Sequence, residues 1–180
     1  MKKNYWLLFI LILVTAVSGY SQTVIDPAVK TPTSFAIIID STSYSKAQNA
    51  VNAYKGVIEK DNLATYIIID NWKSPDDVKA FLWKLYNDKK MPLEGAVFIG
   101  DIPIPMLRDA QHLSSAFKMD QRRDWTQSSI PSDRFYDDFD LKFDFLKQDE
   151  KRPELFYYSL RPDGSQQLNS DIYTGRIRPY

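Results

Sequence analysis

Gly95-Ala-Val-Phe-Ile-Gly-Asp-Ile-Pro-Ile-Pro105 is the stretch whose reading decides the fold. A near-continuous apolar, β-favouring run leads into Gly100-Asp101, and two prolines follow, so a buried strand must stop there at a turn. In an open α/β sheet the carboxyl end of such a strand is where ligands bind.

Working backwards, the same pattern occurs twice more. Phe35-Ala-Ile-Ile-Ile-Asp40 and Ala64-Thr-Tyr-Ile-Ile-Ile-Asp70 are apolar runs of strand length that end in aspartate. Between them Ala47, Ala50, Val51, Tyr54, Val57 and Ile58 recur at helical steps, predicting an amphipathic helix over 45–60. A second helix is predicted after Ser74 as N-cap and Pro75 at the first helical position, with Asp76 and Asp77 in its first turn. Val78, Phe81, Leu82 and Leu85 form its inward stripe, widened by Trp83 and Tyr86. Apolar strands alternating with helices imply a parallel sheet covered on both faces and right-handed crossovers. The expected fold class is therefore α/β, a three-layer sandwich on a mostly parallel sheet, with Gly95–Ile99 as its central strand. Asp40, Asp70 and Asp101 then share the carboxyl edge, each as a turn or cap residue and together as a polar mouth.

The N-terminus reads differently. Lys2 and Lys3 precede an apolar run from Tyr5 to Val17, and Ser18, Gly19 and Ser21 follow, the layout of a secretory signal peptide over residues 1–21. At about 13 residues the run is short of the roughly 20 that span a bilayer. The mature chain is expected to be exported, to the cell surface, the medium or the periplasm, with no membrane span. Residues 22–34, which hold Pro27 and Pro32, read as a lead-in segment, and 35–180 as a single, incomplete α/β domain. With 23 basic and 23 acidic residues and no basic block, nucleic acid is excluded as an expected partner. Having no cysteine, the chain has no disulfide and no thiol nucleophile.

After Pro105 the regularity changes. Met106 to Met119 has helical spacing through Leu107, Ala110, Leu113, Ala116 and Phe117; Gln121 to Ser129 reads as loop; residues 130–140 are aromatic and acidic without period. Leu155 to Ser159 reads as a strand, Arg161-Pro-Asp-Gly164 as a turn and Asp171 to Ile177 as a last strand.

Few residues here could carry chemistry. The one histidine, His112, lies inside the predicted helix near Ser114 and Ser115, but a serine triad needs it held between a nucleophile and a carboxylate, and a surface or packing histidine is the better account. Zinc lacks ligands. The acidic run Asp133, Asp137, Asp138, Asp140 and Asp144 offers hard oxygens suited to calcium, with Asp137, Asp138 and Asp140 as the candidate ligands, although no EF-hand glycine or closing glutamate is present. A solvated acidic loop accounts for the same residues. Phosphoryl-transfer readings of Asp40 and Asp101 fail because each pattern needs a second acid beside Asp40.

One resemblance is more specific. A buried strand ending Phe98-Ile-Gly-Asp101, Pro103 and Pro105, then Ser132-Asp133-Arg-Phe-Tyr136, then a strand with Gly175-Arg176-Ile177, is similar to the first half of gingipain-type cysteine peptidases, which have a caspase-like fold. The resemblance spans Phe35 to Arg178. It implies an exported endopeptidase acting on a polypeptide substrate, with calcium often bound and no other cofactor required. The family's catalytic pair is a histidine followed by glycine and a later cysteine. Neither occurs here, so no catalytic residue is assigned, and both are expected beyond residue 180. By the same resemblance Asp133 is the candidate for pairing a substrate guanidinium, and Asp101 for lining the cleft; the alternative is that Asp133 and Tyr136 simply brace their loop. The expectation from another class is a non-catalytic exported module that binds a cation, glycan or protein at its acidic rim.

Overall fold

The computed structural model describes residues 22–110, 112, 120–167 and 169–178. The signal-peptide assignment and the distal part of the helix expected before Met119 lie outside them. Strands β1 (Thr23–Ile25) and β2 (Ser34–Asp40) precede helix α1 (Ser41–Lys60), strand β3 (Ala64–Asp70), helix α2 (Pro75–Tyr86) and strand β4 (Leu93–Ile99). Then follow β5 (Ile104–Arg108), α3 (Trp125–Ser128), β6 (Ile130–Pro131), α4 (Arg134–Asp137), β7 (Phe143–Gln148), β8 (Leu155–Leu160) and β9 (Tyr173–Ile177).

The first sheet has the order β1-β3-β2-β4-β9 and is parallel apart from β1, which runs antiparallel along β3. β2 occupies the centre, not β4. The displacement has a simple cause: the lead-in segment supplies β1, moving the midpoint one strand over. Alternation along β2 divides the core. Phe35, Ile37 and Ile39 point towards α1 and pack with Val51, Ile67 and Val97; Ala36 and Ile38 point the other way, against Val78 and Leu82 of α2. Each such fully buried aliphatic side chain contributes roughly 1.5–3 kcal/mol, so the β2 row alone fixes which helix covers which face.

Both helices start as their sequences require. Asp40 caps α1, its Oδ1 accepting from the Ser43 N–H at 2.8 Å, and this early cap starts the helix at Ser41, with a kink at Ala47. Ser74 Oγ accepts the Asp77 N–H at 3.2 Å, with Pro75 at the first position. Trp83, however, is not part of the inward stripe: it is 48% exposed.

A second sheet was not foreseen. Its order is β6-β5-β8-β7, with β5 and β8 parallel and the outer pairs antiparallel. Met106 to Arg108, expected as helix, lie in β5; pairing with β8 overrides their local spacing. The acidic segment that lacked period holds β6 and the single turn α4. Leu107, Phe156, Tyr158 and Leu160 from this sheet join α2, Phe98, Phe135 and Tyr136 in one core, so the two sheets share apolar contacts across α2. The chain is thus α/β with mixed sheets. Among the described residues no helix is long and apolar enough to cross a membrane.

Candidate functional site

The parallel strands end in a row of carboxylates. Asp40 and Asp70 face each other in register, and Asp40 reaches across to the loop after β4, where its Oδ2 accepts the Asp101 N–H at 2.8 Å. Burial by itself would raise the Asp40 pKa, but hydrogen bonds from Ser43 and the Asp101 N–H outweigh it and hold the carboxyl below its ordinary range. Gly100 makes the crossing possible. Its φ of +83° belongs to glycine, and a Cβ there would collide with Asp40 Oδ2 and Ser43 Oγ. The Asp70 carboxylate accepts the Asn71 N–H at 2.7 Å and the Gln22 amide at 3.4 Å. Asp40 and Asp70 are therefore committed to backbone and neighbours, whereas the Asp101 side chain stands exposed.

Beyond Asp101 the rim opens into a cleft of about 200 Å³ between the two sheets, lined by Trp72, Lys73, Asp101, Pro103, Gln148, Pro153, Glu154 and Phe156. Arg178 holds loosely to both acids, 3.8 Å from Asp101 Oδ1 and 3.5 Å from Glu154 Oε1. The Trp72 indole N–H is buried here without a hydrogen-bond acceptor, a donor held next to the cleft wall. Such a lining can take a polar or cationic group at its acids and an apolar one against Trp72 and Phe156.

The loop that forms this rim is fixed from beneath. Arg176 on β9 donates to the carbonyls of Ile102 at 2.8 Å and Pro103 at 3.2 Å, and forks onto Asp133 at 2.7 and 3.2 Å. Its guanidinium lies 5.1 Å from the Phe98 ring. The buried Tyr136 hydroxyl donates to Pro103 O at 2.8 Å, and burial drives its pKa far upward, so it stays a donor. Asp133 thus binds a guanidinium in the expected bidentate way, but the guanidinium is the chain's own. Gly100 to Pro105, Asp133 to Tyr136 and Gly175 to Ile177, distant in sequence, meet at this point.

Comparison with protein-family models, with curated proteins and with solved structures yields no match to this chain. The reading of the site therefore rests on its own geometry.

The candidate calcium ligands do not converge. Asp137 accepts from Thr174 Oγ1 at 3.0 Å and pairs with Arg134 at 3.3 Å; Asp138 Oδ1 takes the N–H groups of Asp140 and Leu141 at 3.1 and 3.3 Å; Asp140 is exposed. Burial raises the pKa of both Asp137 and Asp138. Among the described residues no group of three or more His, Cys, Asp or Glu side chains is placed to hold a metal. Lys79 crosses under the same loop, donating to Asp138 O at 3.0 Å, and burial brings its pKa down to about 8. His112 is exposed, and the chain has no cysteine to pair with it.

Trp72 and Glu154 are among the lining residues that sequence reasoning did not reach. Trp72 had a signal: it lies two residues past Asp70, just after a strand's carboxyl end, where ligand-binding loops sit. Glu154 had none, because the hairpin that carries it belongs to the unforeseen sheet.

Proposed function

We propose that this chain is the N-terminal portion of an exported gingipain-like cysteine endopeptidase domain, carrying the wall of the substrate cleft while the catalytic histidine and cysteine come from sequence after Tyr180. The observation that carries the reading is the convergence at Arg176: the three motifs that resemble the family meet at the carboxyl edge of the parallel sheet, beside an acidic cleft. In this reading Asp101 faces the polypeptide substrate, and Asp133 works through Arg176 to hold the 101–103 loop in place. The bound peptide lies across the strand ends, where polar groups of the loop fix its orientation. Residues 22–180 alone would then cleave nothing.

The test is the coding sequence beyond codon 180. A His-Gly after a further apolar strand, followed tens of residues later by a cysteine, supports the proposal; a stop codon overturns it. A second reading is favoured by the cleft lining itself. Trp72 with Asp101 and Glu154 would suit a non-catalytic module that holds a cation, glycan or protein group, and it would keep that binding without any further sequence.

A further inference from the structure

The outer side of α2 carries a separate groove of about 430 Å³, lined by Asp76, Lys79, Ala80, Trp83 and Phe139. It shares no lining residue with the rim cleft. Helical spacing brings residues 76, 80 and 83 onto one side, and there Trp83 leaves nearly half of its surface in solvent.

That indole is rigidly held. It stacks on Tyr86 at 5.8 Å and 29°, and meets Phe139 edge-on at 5.1 Å. Asp171 fixes both supports, accepting the Tyr86 hydroxyl at 3.2 Å and the Phe139 N–H at 2.7 Å. Little side-chain freedom is left to lose when a ligand arrives. Beside the ring, Ala80 projects only a methyl group. At the far end Asp76 Oδ2 receives the Tyr158 hydroxyl at 2.5 Å, which leaves its other oxygen to accept from a ligand.

Charge separates the ligand classes. A cation would add to the positive charge of Lys79, which lines the groove while its ammonium is held by the Asp138 and Leu141 carbonyls; an anion would meet Asp76, and an apolar helix would have to strip water from that carboxylate. A flat, neutral ring with C–H groups on its face and hydroxyls on its edge avoids all three costs. We propose that this groove binds a neutral saccharide, with one pyranose ring lying on the exposed face of Trp83 and a hydroxyl donating to Asp76. Its volume falls in the range of about 300–1,000 Å³ typical of small-ligand pockets. The inference is independent of the peptidase reading, since it uses neither the rim nor any residue after 178.

The test is titration of the chain with cellohexaose, maltohexaose, xylohexaose and chitohexaose, followed by tryptophan fluorescence and calorimetry. At least one should bind saturably at millimolar concentration or below. Trp83→Ala should weaken that binding about tenfold or more. Because removing Trp83 also disturbs its aromatic neighbours, Ala80→Arg provides the second variant. It fills the groove from an exposed position with a good helix former, and should weaken binding equally while leaving the thermal midpoint unchanged. Trp125→Ala, elsewhere on the surface, should leave the affinity as it is. Failure of all four sugars to bind at about 10 mM, or binding that persists in Ala80→Arg, would overturn the proposal.

Discussion

Asp40 shows how a single side chain joins helix initiation to the shape of the rim. One oxygen starts α1 and the other holds the Asp101 N–H. Its folded pKa lies below the ordinary 3.8, so its stabilisation is fully present above that value and is lost as pH falls through the lowered folded value. Asp40→Asn keeps one acceptor and loses the charge. It should cost about 1–2 kcal/mol at pH 7, and the gap to the parent should close on acidification below 3.8; urea denaturation across a pH series measures this. A gap that stays constant with pH would remove the charge from the explanation. Arg176 and Asp133 are a second pair of this kind, both largely covered, with the Ile102 carbonyl served by the same guanidinium and Pro103 O shared between it and Tyr136. Arg176→Met should destabilise by about 3 kcal/mol, since it strands the Asp133 carboxylate and the Ile102 carbonyl, while Pro103 O keeps the Tyr136 hydroxyl. In a cycle with Asp133→Asn the coupling should exceed about 1 kcal/mol. A coupling near zero would mean that the fork is a surface contact.

Among the elements, β9 differs from its neighbours. It pairs in parallel with β4, and Gly100 N–H extends the ladder to Ile177 O at 2.9 Å. Its inner face carries Arg176, yet Tyr173 and Ile177 on the outer face are 52% and 54% exposed. Ile177→Thr should therefore change stability by less than about 0.5 kcal/mol, whereas Phe98→Ala on the adjacent strand, fully buried, should cost about 3–5 kcal/mol. Equal losses would show that the outer face of β9 is packed. The βα part of the chain was legible because its signals are local: apolar runs, a 3.6 period, Ser74 before Pro75. The second sheet was not, because its partners are remote. β5 contains Pro105 and owes its strand form to β8, some fifty residues later, while the spacing of Met106 and Leu107 suits a helix equally well. The candidate site divides in the same way. The acids at the strand ends could be placed from pattern alone, but nothing in the sequence tells that Asp133 faces Arg176, 43 residues away.

At the scale of the whole molecule, two mixed sheets close over α2 and leave a polar cleft between them at the strand ends. The cleft walls, its loop and the Arg176 brace come from this chain, while cysteine is absent from it. On the proposed peptidase reading the nucleophile comes from further sequence of the same product, and this frame would hold substrate against it. The decisive measurement is endopeptidase activity of the complete gene product, alongside residues 22–180, on an unfolded protein substrate with and without iodoacetamide. The account expects cleavage by the complete product, abolished by alkylation, and none by residues 22–180. Absence of cleavage by the complete product, or activity that survives alkylation, would contradict it.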